Sequence, residues 1–285
     1  MGKVLVNDQL IERTEAVVDI EDRGYQFGDG VYEVIRVYGG EAFTADEHME
    51  RFFQSAEKIK MEMPFDKQQM LDFIEQLIMK NQLQDGSIYM QVTRGASARN
   101  HLFPGSDIKP VLTAYTKEVP RPEDVLENGV KAMVAEDIRW LRCDIKSLNL
   151  LPNVLAKQEA TEQGCYEAIL HRDGTVTEGS SSNAYIVKDG KITTHPATNF
   201  ILNGITRQVI LKLCQSHQIP ITEETFRLED LKTADEIFIS STTSEVMPIV
   251  QLDGQSIGDG KPGPLTKKLQ SLFLEEIKAV KTQKM

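Results

Sequence analysis

Lys117-Glu118-Val119-Pro120-Arg121-Pro122-Glu123-Asp124 is the stretch that divides this chain. It is polar, and each of its two prolines disfavours helix in the residue before it, so it reads as an extended connection between two folded parts. On its amino-terminal side strands and helices alternate. Val31 to Val37 reads as a strand, Gly39-Gly40 as a turn and Glu41 to Thr44 as the hairpin partner. A helix follows from about Asp46, with Met49, Phe52, Phe53, Ala56 and Ile59 at helical spacing. Met70, Phe73, Ile74, Leu77 and Ile78 repeat the pattern in a second helix that ends near Asp85-Gly86, and Ser87 to Thr93 and Pro110 to Thr116 read as strands.

Beyond the connection, Asp173-Gly174 and Asp189-Gly190 each separate β-rich runs, which predicts hairpins and a meandering antiparallel sheet. Two helices stand out: Ile205 to His217, apolar at Ile205, Val209, Ile210, Leu213 and Cys214, and one through Leu265, Leu269, Leu272, Phe273 and Ile277. The predicted fold class is α+β in two domains: a smaller α/β amino-terminal domain over 1–119 and a larger β-rich carboxy-terminal domain over 120–285. A length of 285 residues suits that division, given a prior of roughly 150 residues per domain.

The balance of 32 basic against 43 acidic residues, a net of -11, opposes binding to nucleic acid or to an anionic membrane. No apolar run approaches the roughly 20 residues of a membrane helix, and the acid at Asp8 comes too early for a secretory signal. A cytoplasmic protein is expected. Cys143, Cys165 and Cys214 are odd in number and free of any Cys-x-x-Cys spacing, which argues against structural disulfides and a zinc-thiolate site. Familiar motifs also fail. Gly28-Asp29-Gly30-Val31-Tyr32-Glu33 lacks the last glycine of a dinucleotide fingerprint, and Gly258-Asp259-Gly260-Lys261-Pro262 puts proline where a phosphate loop needs serine or threonine. Gly179-Ser180-Ser181-Ser182-Asn183 misses the closing glycine of a nucleophile elbow.

One constellation remains. Cys143-Asp144-Ile145-Lys146-Ser147-Leu148-Asn149-Leu150-Leu151 sets an amine in a largely apolar run, and a lysine rarely sits fully inside unless it is paired or chemically employed. Spacing alone also admits a Lys146 that reaches solvent or pairs with Asp144. Glu178 precedes a small-residue loop. Asn203 can cap a helix beginning near Gly204, whose first N–H groups, at Ile205 and Thr206, suit an anion, with the Thr206 hydroxyl as a further donor. Ser241 and Thr242, after the apolar strand Ile237-Phe238-Ile239, can close that cradle. An amine, an acid for a ring nitrogen and a phosphate cradle are what pyridoxal phosphate requires. The other class this pattern admits is a non-catalytic phosphate- or cofactor-binding protein. Arg51 shares a helix face with His48, Ser55 and Lys58, opposite the apolar stripe, and reads as a solvated face. Thr93-Arg94-Gly95 with Arg99-Asn100-His101 forms a basic cluster suited to a carboxylate.

Several blocks taken together resemble the class IV aminotransferases among the fold-type IV pyridoxal phosphate enzymes, in their D-amino acid branch. These are Asp22 to Glu33, Thr93-Arg94-Gly95 with Arg99 and His101, Arg139 to Asn149, Thr177-Glu178-Gly179, Gly204-Ile205-Thr206-Arg207 and Ser240 to Glu245. The resemblance implies that Lys146 carries the cofactor as a Schiff base and shuttles protons, and that Glu178 holds the pyridine nitrogen. It makes Arg51, Ile205, Thr206 and Thr242 phosphate ligands, with Arg139 supporting the site, and so contradicts the solvated reading of Arg51. It places the substrate carboxylate on Tyr32, Arg99 and His101, the last two reaching the site of the other subunit of a homodimer, and puts the cofactor at the domain interface. The implied reaction is transamination between a D-amino acid such as D-alanine and 2-oxoglutarate. An L-branched-chain aminotransferase and an aminodeoxychorismate lyase are the alternatives within the same fold.

Overall fold

The computed structural model describes residues 2–282. The chain forms two compact units, the first running through Arg121 and including Ile145–Asn149, the second made of Pro122–Asp144 and Leu150–Ala279. The Lys146 segment, which the sequence division assigns to the second part, therefore packs with the first. The cause is backbone pairing with the start of a strand: Tyr32 N donates to Lys146 O at 3.0 Å and Leu148 N to Gly30 O at 3.0 Å. Ile145 then enters the first unit's core.

In that unit β1 (Lys3–Val6), β2 (Gln9–Glu12), α1 (Arg23–Phe27), β3 (Gly30–Tyr38), β4 (Glu41–Ala42), α2 (Ala45–Lys58), α3 (Lys67–Asn81), β5 (Gly86–Thr93) and β6 (Val111–Glu118) follow in order. The strands make a six-stranded sheet, β2-β1-β6-β5-β3-β4, with every pairing antiparallel. The unit is thus α+β, its helices packed with an antiparallel sheet. Val31, Ile35 and Val37 of β3 meet Met49, Phe52 and Ala56 of α2 and Met70, Ile74 and Leu77 of α3 in one buried cluster. The expected α2 and α3 stripes are those that pack. The boundaries differ where the backbone turns left-handed: Thr44 (φ 53°) ends the β4 hairpin early, and Gln82 (φ 51°) caps α3 before Asp85.

The second unit contains α4 (Glu123–Asn128), β7 (Val130–Glu136), α5 (Leu151–Glu162), β8 (Glu167–Arg172), β9 (Thr175–Gly179), β10 (Asn183–Lys188) and β11 (Lys191–Thr194). After these come α6 (Ile205–Ser216), β12 (Ile221–Glu223), α7 (Leu228–Thr233), β13 (Glu236–Ser241), β14 (Glu245–Leu252), β15 (Gln255–Ser256) and α8 (Pro264–Thr282). Both Asp-Gly pairs form the predicted hairpins, with positive φ at Asp173, Gly174, Asp189 and Gly190. The sheet is mixed rather than a pure antiparallel meander. α5 carries the chain from β7 to its parallel neighbour β8, α6 does so from β11 to β12, and β14 lies parallel to β7. β9 and β10 lie at opposite ends of the run β10-β13-β14-β7-β8-β9, yet only Ser180–Ser182 join them, so the sheet curls back on itself. That curl brings Glu178, near the end of β9, close to Asn183, the first residue of β10.

Among the described residues no helix is long and apolar enough to cross a membrane. Phe52 is fully buried in the first core. Replacing it by alanine should lower unfolding free energy by about 3 to 5 kcal/mol, read from urea unfolding curves.

Candidate active site

In the first unit the chemistry gathers around β3 and the segment paired to its start. Lys146 sits at the apex of a γ-turn, with Ser147 N donating to Ile145 O at 2.8 Å. Its own N–H donates to Ser55 Oγ at 3.3 Å, and its Nζ lies 4.3 Å from the centre of the Tyr32 ring. The backbone is pinned on both sides, while the side chain is half-buried. Burial of the whole apolar run does not hold: Ile145 is interior, but Leu151 is 69 % exposed because it opens α5. Asp144, a possible partner for Lys146 on spacing, is gripped by Arg142, whose Nε and Nη2 donate at 2.9 and 3.1 Å.

Arg51 corrects the helical-wheel reading. With His48 and Ser55 it is buried, and Lys58 alone of that face is exposed. The reason lies in β3, where Glu33 occupies the same inward phase as Val31 and Ile35. A carboxylate there is tolerable only with cations and donors around it. Arg51 supplies Nε to Oε1 at 2.7 Å and Nη2 to Oε2 at 2.9 Å, and His48 Nδ1 lies 2.8 Å from Oε2. Burial works to raise the Glu33 pKa, but Arg51 and His48 overcome it and hold the carboxyl well below its ordinary range. Burial also holds the His48 pKa below its usual value against the pull of Glu33.

Arg99 and His101 lie on an exposed loop after β5, both against Phe27: the Arg99 guanidinium is 4.9 Å from that ring's centre, and the His101 and Phe27 rings are 5.5 Å apart. The root of the loop is fastened by Asp29, which accepts from Arg23 Nε at 2.8 Å and Arg94 Nε at 2.9 Å. Arg23 Nη1 in turn donates to Asn100 O at 2.7 Å.

In the second unit Glu178 is 4 % exposed. Its Oε1 accepts from Arg139 Nη1 at 2.5 Å, and its Oε2 from Asn183 Nδ2 at 3.0 Å and Leu202 N at 3.1 Å. Arg139 is itself held by Asp137, through Nε and Nη2 at 2.8 Å each, and Asp137 also takes Arg172 Nε at 3.0 Å and the Thr177 hydroxyl at 2.9 Å. Two acids and two guanidiniums thus balance within the interior. Burial tends to raise the Asp137 pKa, but these donors bring it down to about 2. At Glu178 burial prevails over Arg139 and pushes the pKa up to about 7.

Leu202, bonded to Glu178, leads directly into α6. Ile205 and Thr206 fall in that helix's buried first turn, where N–H groups lack intrahelical acceptors. Asn203 is not the cap: Gly204 is, and Asn203 Oδ1 instead accepts from Arg207 Nη1 at 3.2 Å. Pairing of Asn183 with Ser240 puts the turn after Ser241 at the Asn183 end of the sheet. Ser241 Oγ accepts from Ser244 N at 3.1 Å and so shapes the turn that carries Thr242. Sequence reasoning passed over Glu33, His48, Asp137 and Asn183. A signal existed for Glu33, since a charge on the inward phase of an apolar strand calls for buried partners.

A family model described as amino-transferase class IV matches residues 30–252, and the chain belongs to that family. It is similar to the D-alanine aminotransferase of Staphylococcus haemolyticus, 53 % identical over 279 residues that cover 98 % of this chain and 99 % of the relative. The D-alanine aminotransferase of Listeria monocytogenes serotype 1/2a (strain 10403S) is 53 % identical over 277 residues, covering 96 % of each. Among solved structures, a branched-chain amino acid aminotransferase from Escherichia coli matches with a TM-score of 0.90 at 28 % identity, covering 96 % of this chain and 94 % of that one.

The raised Glu178 pKa has a consequence for stability. The folded state keeps this proton from the ordinary carboxyl value of 4.5 up to about 7, whereas the unfolded chain releases it earlier. Its contribution is present below 4.5 and is lost as pH rises to about 7. In cofactor-free protein, Glu178→Gln should flatten the fall of urea-unfolding free energy across that window; an unchanged slope would count against the assignment.

Proposed function

We infer that the chain is a D-amino acid aminotransferase working with pyridoxal 5'-phosphate, and we propose 2-oxoglutarate as the amino acceptor, with D-alanine giving pyruvate and D-glutamate as products. The observation that carries the reading is the buried carboxylate of Glu178, fixed by the loop that opens into a helix whose first N–H groups lack intrahelical acceptors. The residues fit the cofactor: a Cβ at Gly204 would overlap Asn183 Oδ1, so the helix entrance runs close beside the amide that bonds Glu178, and the Thr206 side chain is buried at the head of α6.

When bound, pyridoxal phosphate supplies the electron sink for the pair left behind as an amino acid loses its α-proton. In this reading Lys146 Nζ holds the cofactor, then takes that proton and delivers it again. Pinning of its backbone from Ser55 and Tyr32 limits where the amine can swing. Glu178 holds a proton at the ring nitrogen, and a carboxyl whose pKa is pushed up to about 7 is matched to sharing one near neutral pH. Arg139 keeps that carboxyl oriented. The N–H groups of Ile205 and Thr206, with Ser241, Thr242 and Arg51, bind the phosphate. Tyr32, Arg99 and His101 take the substrate carboxylate, and the side from which they do so sets which enantiomer offers its α-hydrogen to Lys146. Leu102 at 74 % and Phe103 at 57 % exposure flank His101, which supports a homodimer in which this loop serves the other subunit's site. The cytoplasm is the proposed compartment, in keeping with three free cysteines.

Lys146→Ala should reduce D-alanine turnover by roughly 10⁴-fold or more, and borohydride reduction of the native holoenzyme should leave a pyridoxyl adduct on Lys146. Normal rates in the variant without added amine would remove the assignment, and no adduct anywhere would favour a non-catalytic binding protein. Arg99→Ala should leave the cofactor bound and raise KM for D-alanine roughly tenfold or more; unchanged KM and kcat would take Arg99 out of the trap. A screen of D- and L-alanine and D- and L-leucine with 2-oxoglutarate, alongside pyruvate release from aminodeoxychorismate, separates this activity from the branched-chain and lyase readings.

A further inference from the structure

We propose that Asn183 is a positioning residue that sets the ring-nitrogen carboxylate and the phosphate cup at a fixed spacing, so that one side chain governs both cofactor retention and the protonation of Glu178. The proposal rests on the reading of Glu178 as partner of the ring nitrogen.

Asn183 is 4 % exposed, and its Nδ2 spends its two protons on two elements: 3.0 Å to Glu178 Oε2 and 2.8 Å to Leu202 O. Leu202 N returns a bond to the same Oε2. Carboxylate, amide and loop therefore close a small ring of hydrogen bonds. The other face of the amide abuts the helix entrance, because Oδ1 fills the space a Cβ on Gly204 would need. Gly204 has φ -60° and ψ 140°, a conformation any residue adopts, so the demand for glycine comes from Asn183 and not from backbone strain.

Two further constraints keep Asn183 in place. Its backbone is paired with Ser240 of β13, and the Ser180–Ser182 link from Glu178 is tied down by Glu167. The buried Glu167 carboxylate accepts from the hydroxyls of Ser180, Ser181 and Ser182. The triple serine that fails as a nucleophile elbow thus serves to hold the β9–β10 link against one acid. A rigid β10 start, a fixed carboxylate and a fixed helix entrance leave Asn183 as the side chain that joins all three. Cofactor chemistry needs this because the ring nitrogen and the phosphate are parts of one rigid heterocycle and its short tail, so their two anchors must keep a constant separation.

The test uses the full-length holoenzyme with Asn183→Ala, Asn183→Asp, Gly204→Ala, the double variant Asn183→Ala with Gly204→Ala, and Glu178→Gln as reference. Asn183→Ala should weaken pyridoxal 5'-phosphate binding roughly tenfold, the loss of one hydrogen bond to a charged group. It should also lower kcat while KM for D-alanine stays nearly constant, since Asn183 touches the carboxylate and not the substrate. Asn183→Asp sets a second carboxylate against Glu178 and should move the pH midpoint of the bound cofactor's absorption upward by about one unit. Gly204→Ala should weaken cofactor binding alone but add little in the Asn183→Ala background, where the obstructing Oδ1 is gone. Fully additive losses, or an Asn183→Ala protein with native cofactor affinity and pH midpoint, would overturn the proposal if Glu178→Gln still shifts both. Should Glu178→Gln also leave both unchanged, the reading of Glu178 itself fails. Circular dichroism and urea unfolding of each variant show whether a loss is one of folding, and in that event the Asn183→Asp absorption midpoint, read on the folded fraction, decides.

Discussion

A connected set of polar side chains in the second unit's interior is arranged around one costly act, the burial of the Glu178 carboxylate. Moving such a group out of water without partners costs several kcal/mol, and three donors meet it: Arg139, Asn183 and the Leu202 amide. Arg139 is held in turn by Asp137, and Asp137 brings in Arg172 and Thr177. Tertiary structure follows from this chain of obligations. Arg172 comes from β8, Thr177 and Glu178 from β9, Asn183 from β10, and Leu202 from the approach to α6, so the curl of the sheet and the position of the helix are tied to one group.

The first unit solves a parallel problem with Glu33. There the strand's inward phase forces an acid into the core, and α2 answers with His48 and Arg51 one turn apart. The same helix contributes Ser55 to the Lys146 backbone. Core packing, a buried ion cluster and a bond to the Lys146 backbone are thus three duties of one amphipathic helix whose second stripe is ionic. An acid with strongly bound cations and a carboxyl poised near neutrality are the opposite outcomes of one competition. Glu33 meets a bidentate guanidinium and an imidazole, whereas Glu178 shares Arg139 with Asp137.

Fold and ligand chemistry are separable in this family. A branched-chain amino acid aminotransferase shares nearly the whole architecture at 28 % identity, so the scaffold of two sheets is common to relatives named for different substrates. The loop of Arg99 and His101 is anchored through Asp29 and Arg94 yet exposed beyond its anchors, as connections on a rigid scaffold commonly are.

Much was legible in the residues alone: the α2 and α3 stripes, the Asp-Gly hairpins, and the helices at Ile205 and Leu265. Those features depend on local period and turn chemistry, which neighbours in sequence decide. Hydrophobic periodicity misjudged Arg51, because a polar face reads as wet whether it meets water or a buried acid on another strand. A division drawn at the two prolines leaves Lys146 in the second part, whereas the pairing of its segment with the start of β3 joins residues more than a hundred positions apart. Asn203 looked like a cap and Asn183 like nothing in particular, while the structure reverses their importance. Capping preference is a local statistic, whereas the contact of Asn183 with Glu178 and Gly204 exists only once β9, β10 and α6 have been brought together by a sheet that curls. Sequence determined which elements form and which chemical groups are present; only tertiary structure decided which of those groups are dry, and burial is what turns a charge into a tool.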